Sequence, residues 1–296
     1  MSAPLVDKDG FTIRANKYGD YYISPFQEIG KHQELLSHLP KLKCYDDDVI
    51  ICGYGKTGTH WMWEIINKIM YGTVETVAES KLKGMLEAKL TQDIDSLPNP
   101  RILNTHLPPA MLPVEMFQKN CKILFLVRDP RDVSVSLFYH FKGSKIENYN
   151  GPWDNFLEMF LDGKVPFGSM FEYIELWELF LQQNPDIPLL VVHYEDLKKN
   201  TAEGIKRVSD FLKIPLEEST VQAIEANVDF QHLKKNEHLI YSEEMKKNIF
   251  KDEQFSFFRK GIVGDWKNHF ADAQSEAFSA RFQERMKKSR FLSRYA

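Results

Sequence analysis

The sequence predicts a single α/β domain, residues 1–296, with a central, mostly parallel β-sheet flanked by helices. Four short apolar segments are separated by segments with helical periodicity, and they span 49–52, 101–104, 122–127 and 188–192. Near-continuous apolar strands are typical of a parallel sheet that is covered on both faces. A chain of 296 residues, of which 43% are hydrophobic, is long enough to bury the core of one such domain.

A glycine-rich loop joins the first predicted strand to the helical segment 61–70. The loop contains Gly53, Gly55, Lys56, Thr57, Gly58 and Thr59. Free backbone N–H groups at a helix N-terminus, together with a lysine charge, favour binding of a phosphate or another anion. The usual nucleotide loop, G-x-x-x-x-G-K-[ST], requires glycine at position 50, where Ile50 stands. The loop is therefore a shorter relative of that motif, and a solvated tight turn is the alternative interpretation.

The other elements are predicted from periodicity and turn residues. Helices are predicted at 133–141, with Pro130 acceptable in the first turn, and within 200–227. Turn signals or irregular polar sequence mark 1–47, 73–100 and the loop-rich stretch 228–258. These stretches contain neither repeats nor low-complexity sequence.

Polar residues follow each predicted strand directly. Lys56, His106, Arg128 and Tyr194 all lie at or just past a strand end. In a parallel α/β sheet, ligands bind outside the C-terminal ends of the strands. We therefore expect these four side chains to share one site.

A second basic segment lies near the end of the chain. Arg259 and Lys260 stand beside Gly261 and Gly264. Glycines let backbone N–H groups approach a ligand, and the two cationic side chains add charge. The segment is interpreted as a second anion site, with a solvated basic turn as the alternative.

Composition and charge narrow the class of protein. The net charge of −4 does not indicate nucleic-acid binding, and the basic residues near the C-terminus are interpreted as a solvated helix face. Cys44, Cys52 and Cys121 are odd in number and widely spaced, which favours buried free thiols in a reducing compartment. No signal peptide is recognised, and no window approaches about 18 uninterrupted apolar residues. A cytoplasmic protein without a membrane segment is expected.

Five motifs, taken together and in this order, resemble the cytosolic sulfotransferases. They are YGKTGTHW at 54–61, THLP at 105–108, RDPRDVSVS at 128–136, YED at 194–196 and RKGIVGDWK at 259–267. The resemblance implies transfer of a sulfuryl group from 3'-phosphoadenosine 5'-phosphosulfate (PAPS) to a hydroxyl or amine of a small acceptor. The by-product is adenosine 3',5'-bisphosphate (PAP), and no metal is implied.

The resemblance assigns the two anion sites to the two ends of this donor. The 5'-phosphosulfate is expected at Lys56, Thr57, Gly58, Thr59 and His60. The 3'-phosphate is expected at Arg128, Ser136, Arg259, Lys260 and Gly261, because guanidinium groups match phosphate oxygens in pairs. The adenine is expected against Trp61, Tyr194, Val228, Phe230 and Phe258.

For catalysis, His106 resembles the general base of the family. A histidine with a pKa of about 6.5 takes up the proton of the acceptor hydroxyl as the hydroxyl oxygen attacks sulfur. Lys56 is expected to neutralise the charge that builds on the leaving phosphate. Ser136 is expected to hold the Lys56 ammonium until the acceptor arrives.

The acceptor site is the least defined part of the prediction. Regions that resemble the acceptor walls of the family contain Phe26, Asn104, His106, Phe141, Tyr149, Ile249 and Phe250. Aromatic and apolar walls with few polar groups indicate a small lipophilic acceptor such as a phenol or a steroid.

Several positions depart from the family pattern. The family usually has proline at position 55, serine at 57, threonine at 60, lysine at 104 and threonine at 228, where this chain has Gly55, Thr57, His60, Asn104 and Val228. Asn104 is expected to remove a charge next to the transferred group. His60 is expected either to add a phosphate donor or to alter the affinity for PAPS.

Two other classes share part of this pattern. A nucleotide kinase-like protein has a strand, a glycine loop and basic residues, but it needs a full-length phosphate loop and a carboxylate that binds magnesium. A non-catalytic nucleotide-binding protein is the other alternative, and retention of Lys56, His106 and Ser136 argues against it.

The segment that corresponds to the dimer contact of relatives generates the first testable prediction. Many relatives pair through the pattern Lys-x-x-x-Thr-Val-x-x-x-Glu, and the matching residues here are Lys267, Ala271, Asp272 and Glu276. Asp272 would meet its own copy across a two-fold axis, and like charges repel there. We expect sedimentation velocity at micromolar concentration to show a monomer or a weak homodimer, and Ala271→Thr with Asp272→Val to restore a dimer. A wild-type dimer that persists on dilution would contradict this expectation.

Overall fold

Two small antiparallel hairpins and one helix come first in the computed structural model, which describes residues 3–27, 29–75, 80–252 and 255–296. The hairpins pair β1 with β2 and β3 with β4, and the elements are β1 (Leu5–Val6), β2 (Thr12–Ile13), β3 (Asn16–Tyr18), β4 (Tyr21–Ile23) and α1 (Ile29–His38). The sequence did not predict them. Strands of two or three residues are too short to show a period of two.

A four-stranded parallel sheet forms the centre of the domain, as predicted. Its strands are β5 (Val49–Gly53), β6 (Ile102–Thr105), β7 (Lys122–Val127) and β8 (Leu189–His193), in the order β6-β5-β7-β8. Each predicted strand agrees with the observed bounds to within one residue at either end. The first strand of this sheet, β5, has β6 on one side and β7 on the other, so the strand order reverses at β5. Open α/β sheets bind ligands at such a reversal.

Helices surround this sheet. They are α2 (Thr59–Tyr71), α3 (Thr91–Asp95), α4 (Val114–Gln118), α5 (Pro130–Gly143), α6 (Trp153–Leu161), α7 (Met170–Gln183), α8 (Tyr194–Lys199), α9 (Thr201–Leu212), α10 (Glu218–Asn227), α11 (Phe230–Lys235), α12 (Glu237–Ile240), α13 (Glu243–Ile249) and α14 (Asp272–Met286). Short 3-10 helices lie at Leu39–Lys41, Lys81–Gly84, Pro109–Met111, Asp265–Asn268 and Ser293–Tyr295. None of the described helices is long and apolar enough to cross a membrane.

Two stretches are more helical than the sequence predicted. The stretch 228–258 contains α11, α12 and α13, and the stretch 73–100 contains α3 and a 3-10 helix. Helices this short span two turns or fewer, so no repeating apolar face marks them. Caps mark them instead, because the carboxylate of Asp229 accepts a hydrogen bond from Gln231 N–H and the hydroxyl of Ser242 accepts one from Met245 N–H.

Apolar side chains cover both faces of the sheet. Along β7, Ile123, Phe125 and Val127 join the larger core, while Leu124 and Leu126 join the second core on the opposite face. The alternation follows from the two-residue period of a strand. The three cysteines at positions 44, 52 and 121 are free and buried, as predicted.

A fully buried ion pair ties the segment before β5 to the start of β6. Arg101 donates two hydrogen bonds to the Asp48 carboxylate, from Nε at 2.8 Å and from Nη2 at 2.5 Å. Its Nη2 also donates to the Lys43 carbonyl at 2.9 Å. Both side chains are 0% exposed, so neither charge has access to water.

The Arg101–Asp48 pair generates a stability prediction. Arg101→Met leaves the Asp48 carboxylate buried without its cation, which should lower the free energy of unfolding by about 3–5 kcal/mol. The control is Arg281→Met, which breaks a 2.7 Å pair with Asp162 whose partners are 52% and 38% exposed. That loss should be about 1 kcal/mol or less in the same urea titration. Equal losses in both variants would contradict the prediction.

Candidate active site

One cavity lies at the edge where the strands of the sheet end. Its wall contains all four residues that follow the strands, Lys56, His106, Arg128 and Tyr194. The parallel registers of β5 with β6, β5 with β7 and β7 with β8 bring these ends to the same edge. The four strand-end residues therefore line one cavity, as the sequence predicted.

The glycine loop turns sharply between β5 and α2. Gly58 is the N-cap of α2 and has φ +106, and a Cβ there would lie 2.9 Å from the Tyr194 ring. Only glycine meets both demands, the left-handed backbone and the close approach. The N-terminus of α2 thereby faces the cavity, where Gly58, Thr59 and Lys56 are wall residues. Its first N–H groups lack partners within the helix and are suited to an anion.

Thr57 differs from its prediction. Its side chain is fully buried, and its hydroxyl donates a 2.8 Å hydrogen bond to the Tyr54 carbonyl. The side chain closes the loop from inside and is not part of the cavity wall. Its backbone N–H donates to the same Tyr54 carbonyl at 3.3 Å, so Thr57 stabilises the turn of the loop.

Lys56 is a partly buried lysine in the cavity wall and has no ion pair among the described residues. Burial, followed by the positive charges of Lys81 and Arg128, lowers the pKa of Lys56 to about 8. A cation in such surroundings gains from a bound anion, which opposes every one of these effects. Ser136 lies in the same wall, on α5.

The second basic segment lies in the same cavity wall. Arg259, Lys260 and Gly261 contribute to it together with Arg128. The Arg128 guanidinium lies over the Tyr194 ring at 4.2 Å and donates to the Lys56 carbonyl at 3.2 Å. Its Nε is buried and has no hydrogen-bond partner among the described residues. The structure thus brings the two predicted anion sites together.

Carboxylates hold this basic segment in place. Asp265 accepts hydrogen bonds from Lys260 Nζ at 2.8 Å and forms an ion pair with Arg259 Nη1 at 2.6 Å. Burial opposes ionisation, but hydrogen bonds from Lys260, Asn268 and Arg259 lower the pKa of Asp265. Asp132 on α5 accepts from the N–H groups of Gly264 at 2.7 Å and Trp266 at 2.9 Å.

The residues predicted to surround adenine all line the cavity. They are Trp61, Tyr194, Val228, Phe230 and Phe258. The rings of Trp61 and Tyr194 meet edge to face with centroids 5.5 Å apart. Gly261 has φ +65, and a Cβ there would lie 2.2 Å from the Phe230 ring, so this position also requires glycine.

His60 contacts an aromatic cluster as well as the cavity. The Tyr241 hydroxyl lies 2.5 Å from His60 Nδ1, and the Phe257 ring centroid is 5.4 Å from the imidazole centroid. Burial, followed by the charges of Lys81 and Lys56, lowers the pKa of His60 well below its usual value. The imidazole is therefore neutral at neutral pH.

His106 is oriented by two hydrogen bonds. Its Nδ1 lies 2.6 Å from the Gly53 carbonyl, and its backbone N–H donates to Glu87 Oε1 at 2.8 Å. Since a carbonyl only accepts, Nδ1 carries the hydrogen and Nε2 carries the lone pair. Burial, and then the charge of Lys81, lowers the pKa of His106 to about 3. A neutral imidazole with a free Nε2 is the form that accepts a proton.

Only part of the predicted acceptor wall lines this cavity. Phe26 and Phe141 line the cavity with His106, but Asn104, Tyr149, Ile249 and Phe250 do not. The Tyr149 hydroxyl donates to Asp7 at 2.8 Å, Phe250 stacks on Phe255 at 4.4 Å, and Ile249 ends α13 outside the cavity. The Asn104 amide instead contacts Lys81.

Several wall residues were missed. The most polar of them are Ser24, Lys81, His140 and Glu147, and apolar ones include Met85, Phe167 and Phe257. His140 Nδ1 and Glu147 Oε2 are buried without a hydrogen-bond partner among the described residues. These residues come from separate loops and helices that no motif connects. Of these residues, His140 precedes the predicted Phe141 and Phe257 precedes the predicted Phe258.

Comparisons with known proteins show similarity to sulfotransferases. A family model described as a sulfotransferase domain matches residues 46–290. The chain is 35% identical over 268 residues to sulfotransferase 2A1 of Rattus norvegicus, covering 88% of this chain and 93% of the relative. It is 32% identical over 286 residues to sulfotransferase 1E1 of Homo sapiens, covering 91% and 96%.

A solved structure extends the likeness to three dimensions. Mouse sulfotransferase SULT7A1, crystallised with PAP, matches with a TM-score of 0.79 and 30% identity over 95% of this chain and 98% of that chain. The fold and the strand-end cavity define a sulfotransferase-type α/β domain. The chain belongs to the sulfotransferase family, as its match to the domain model over residues 46–290 shows.

Proposed function

We propose that this sulfotransferase uses PAPS as the donor and transfers its sulfuryl group to the hydroxyl or amine of a small lipophilic acceptor. One observation carries the proposal. A glycine loop with Lys56, a separate cluster with Arg128 and Arg259, and a histidine with a free Nε2 all line one cavity. A donor with a 5'-phosphosulfate and a separate 3'-phosphate needs two such anion sites.

The proposed roles follow from the contacts. Lys56 and the N-terminus of α2 would hold the 5'-phosphosulfate, and Arg128 and Arg259 would hold the 3'-phosphate. Among the described residues, no group of three His, Cys, Asp or Glu side chains is placed to hold a metal ion. The mouse relative binds PAP in its crystal structure, which supports the same assignment for the donor site.

The transfer step uses two side chains of this chain. The acceptor oxygen forms a bond to sulfur as the bond between sulfur and the bridging phosphate oxygen breaks. Its proton moves to Nε2 of His106, while the Lys56 ammonium neutralises the leaving phosphate oxygen. The bound donor carries negative charge, which would raise the low pKa of His106 and make it a stronger base.

The acceptor is proposed to be a lipophilic hydroxyl compound such as a phenol or a steroid. Phe26, Phe141, Phe167 and Met85 form apolar parts of the wall near His106, and the His106 and Phe167 rings meet at 5.3 Å. Apolar walls with a few polar groups suit ligands of this kind.

We also propose that the chain is cytoplasmic and is a monomer or a weak homodimer without a nucleic-acid partner. The positions that correspond to the pairing segment of relatives, Lys267, Ala271, Asp272 and Glu276, are exposed. The exposed carboxylate of Asp272, where the pattern has valine, supports the weak assembly that the sequence predicts.

Ligand binding tests the donor assignment. PAP at a concentration 100 times its dissociation constant should stabilise the fold by about 2.7 kcal/mol, and ATP with magnesium should shift the melting temperature far less. Differential scanning fluorimetry with both ligands decides between them. Stabilisation by ATP with magnesium alone would favour a kinase-like protein and overturn the proposal.

A matched variant makes this test specific to the 3'-phosphate. Arg128→Ala should weaken binding of PAP far more than binding of adenosine 5'-phosphosulfate, which lacks the 3'-phosphate. Titration calorimetry with the two ligands gives this comparison directly. Equal losses for both ligands would place Arg128 outside the 3'-phosphate site.

Catalysis by His106 is tested separately. His106→Ala should lower the turnover number for a phenol by about 10²-fold or more, the range expected for a lost general base, while PAP binding is kept. His38→Ala, which alters an exposed histidine on α1, is the control and should leave turnover unchanged. Near-normal turnover in the His106 variant would contradict the assignment of His106 as the general base.

A further inference from the structure

Lys81 lies in the wall of the active-site cavity although its segment is outside the central sheet. It begins the 3-10 helix Lys81–Gly84, and only 3% of the residue is exposed. Its ammonium donates a 3.1 Å hydrogen bond to Oδ1 of Asn104, and the Asn104 amide donates back to the Lys81 carbonyl at 2.6 Å. Two reciprocal hydrogen bonds therefore fix this lysine.

Further contacts fix the whole segment along the edge strand β6. Met85 forms a parallel bridge with Asn104, and Leu86 N–H donates to the Asn104 carbonyl at 3.0 Å. A Cβ on Gly84 would lie 2.4 Å from the Ile102 carbonyl oxygen, so glycine permits this close approach. The position of Lys81 is thus set by the strand that carries the residues before His106.

The ammonium group lies near the groups that are proposed to act in the transfer. Asn104 and His106 are two positions apart, so their side chains lie on the same side of an extended segment. The charge of Lys81 acts on His106, Lys56, His60 and His140. Lys81 and Lys56 both contribute to the cavity wall.

The surroundings of Lys81 differ from those of a structural buried lysine. Lys68 on α2 forms a buried ion pair with Glu64 at 3.2 Å. Lys81 instead donates to a neutral amide. Burial lowers the pKa of Lys81 to about 8, and the charge of Glu87 opposes that shift. Glu87 itself accepts the hydrogen bond from His106 N–H, and burial raises its pKa. Lys81 is consequently a buried cation that faces a ligand cavity without an ion pair among the described residues.

We propose that Lys81 is a second cation of the sulfuryl-transfer site, which Asn104 positions to contact the oxygens of the sulfuryl group. The proposal rests on the proposed use of PAPS. Lys56 then neutralises the phosphate that leaves, and Lys81 offsets the negative charge that the attacking oxygen meets on the sulfuryl group. The sequence indicated that Asn104 removes a charge from the site. In the structure, Asn104 instead holds Lys81 from another segment, so the site keeps that charge.

Binding of two ligands that differ only in the sulfuryl group tests this role. PAPS carries the group and PAP lacks it, so neither measurement needs a known acceptor. In Lys81→Met and in Lys81→Gln, which keeps an amide donor for Asn104, we expect about a tenfold loss of affinity for PAPS, equal to about 1.4 kcal/mol. We expect the affinity for PAP to stay within about twofold, since Lys81 is assigned no contact with it.

Two further variants make the experiment specific. Lys83→Met alters an exposed lysine on the same 3-10 helix and should leave the ratio of the two affinities unchanged. Lys81→Met with Asn104→Lys moves the ammonium to the partner that now holds it, and it should restore the ratio to within about threefold of the wild type. Titration calorimetry supplies both dissociation constants for each protein.

The outcomes separate this inference from the proposed function. A wild-type protein that binds neither PAPS nor PAP would overturn the proposed donor itself. A wild-type protein that binds both, with equal losses or no loss in the Lys81 variants, would overturn only the role of Lys81. A selective loss for PAPS that the double variant restores would establish it.

Discussion

The hydrogen bond between His106 Nδ1 and the Gly53 carbonyl is the contact on which the geometry of the active site depends. It joins the residue after β6 to the last residue of β5, the strand that continues into the glycine loop. The same contact determines which imidazole nitrogen keeps its lone pair. A shift of the loop relative to β6 would therefore change both the position of the imidazole and its tautomer.

Several cationic side chains lie in the cavity around this contact. Lys56, Lys81, Arg128 and Arg259 line the cavity, and burial together with neighbouring cations keeps the pKa of Lys56 low. Burial, and then the charges of Lys56 and Lys81, lowers the pKa of each of the three imidazoles of the cavity. Such a site gains most from a ligand with several negative charges, because each charge opposes the mutual repulsion of the cations.

The sequence was informative where one physical signal governs several neighbouring residues. Burial on both sheet faces leaves apolar runs, so β5 to β8 were predicted to within one residue. The residues predicted to bind the donor come from strand ends and glycine-rich motifs, and each of these signals lies within a short stretch of sequence. The acceptor end is formed where distant segments meet, so Lys81, Glu147 and Phe167 carried no local signal. Tyr149 and Phe250 lie outside the cavity wall, since an aromatic residue in such a region packs equally well in the core.

The Asp265 carboxylate is the internal counter-ion of Arg259 and Lys260. With Arg259 and Lys260 already paired to it, an arriving phosphate exchanges one set of ionic contacts for another instead of neutralising bare charge. The net gain in attraction is then smaller than the number of cations implies, which favours release of a spent ligand. The carboxylate also holds the two cations in position, so less conformational entropy is lost when a ligand binds.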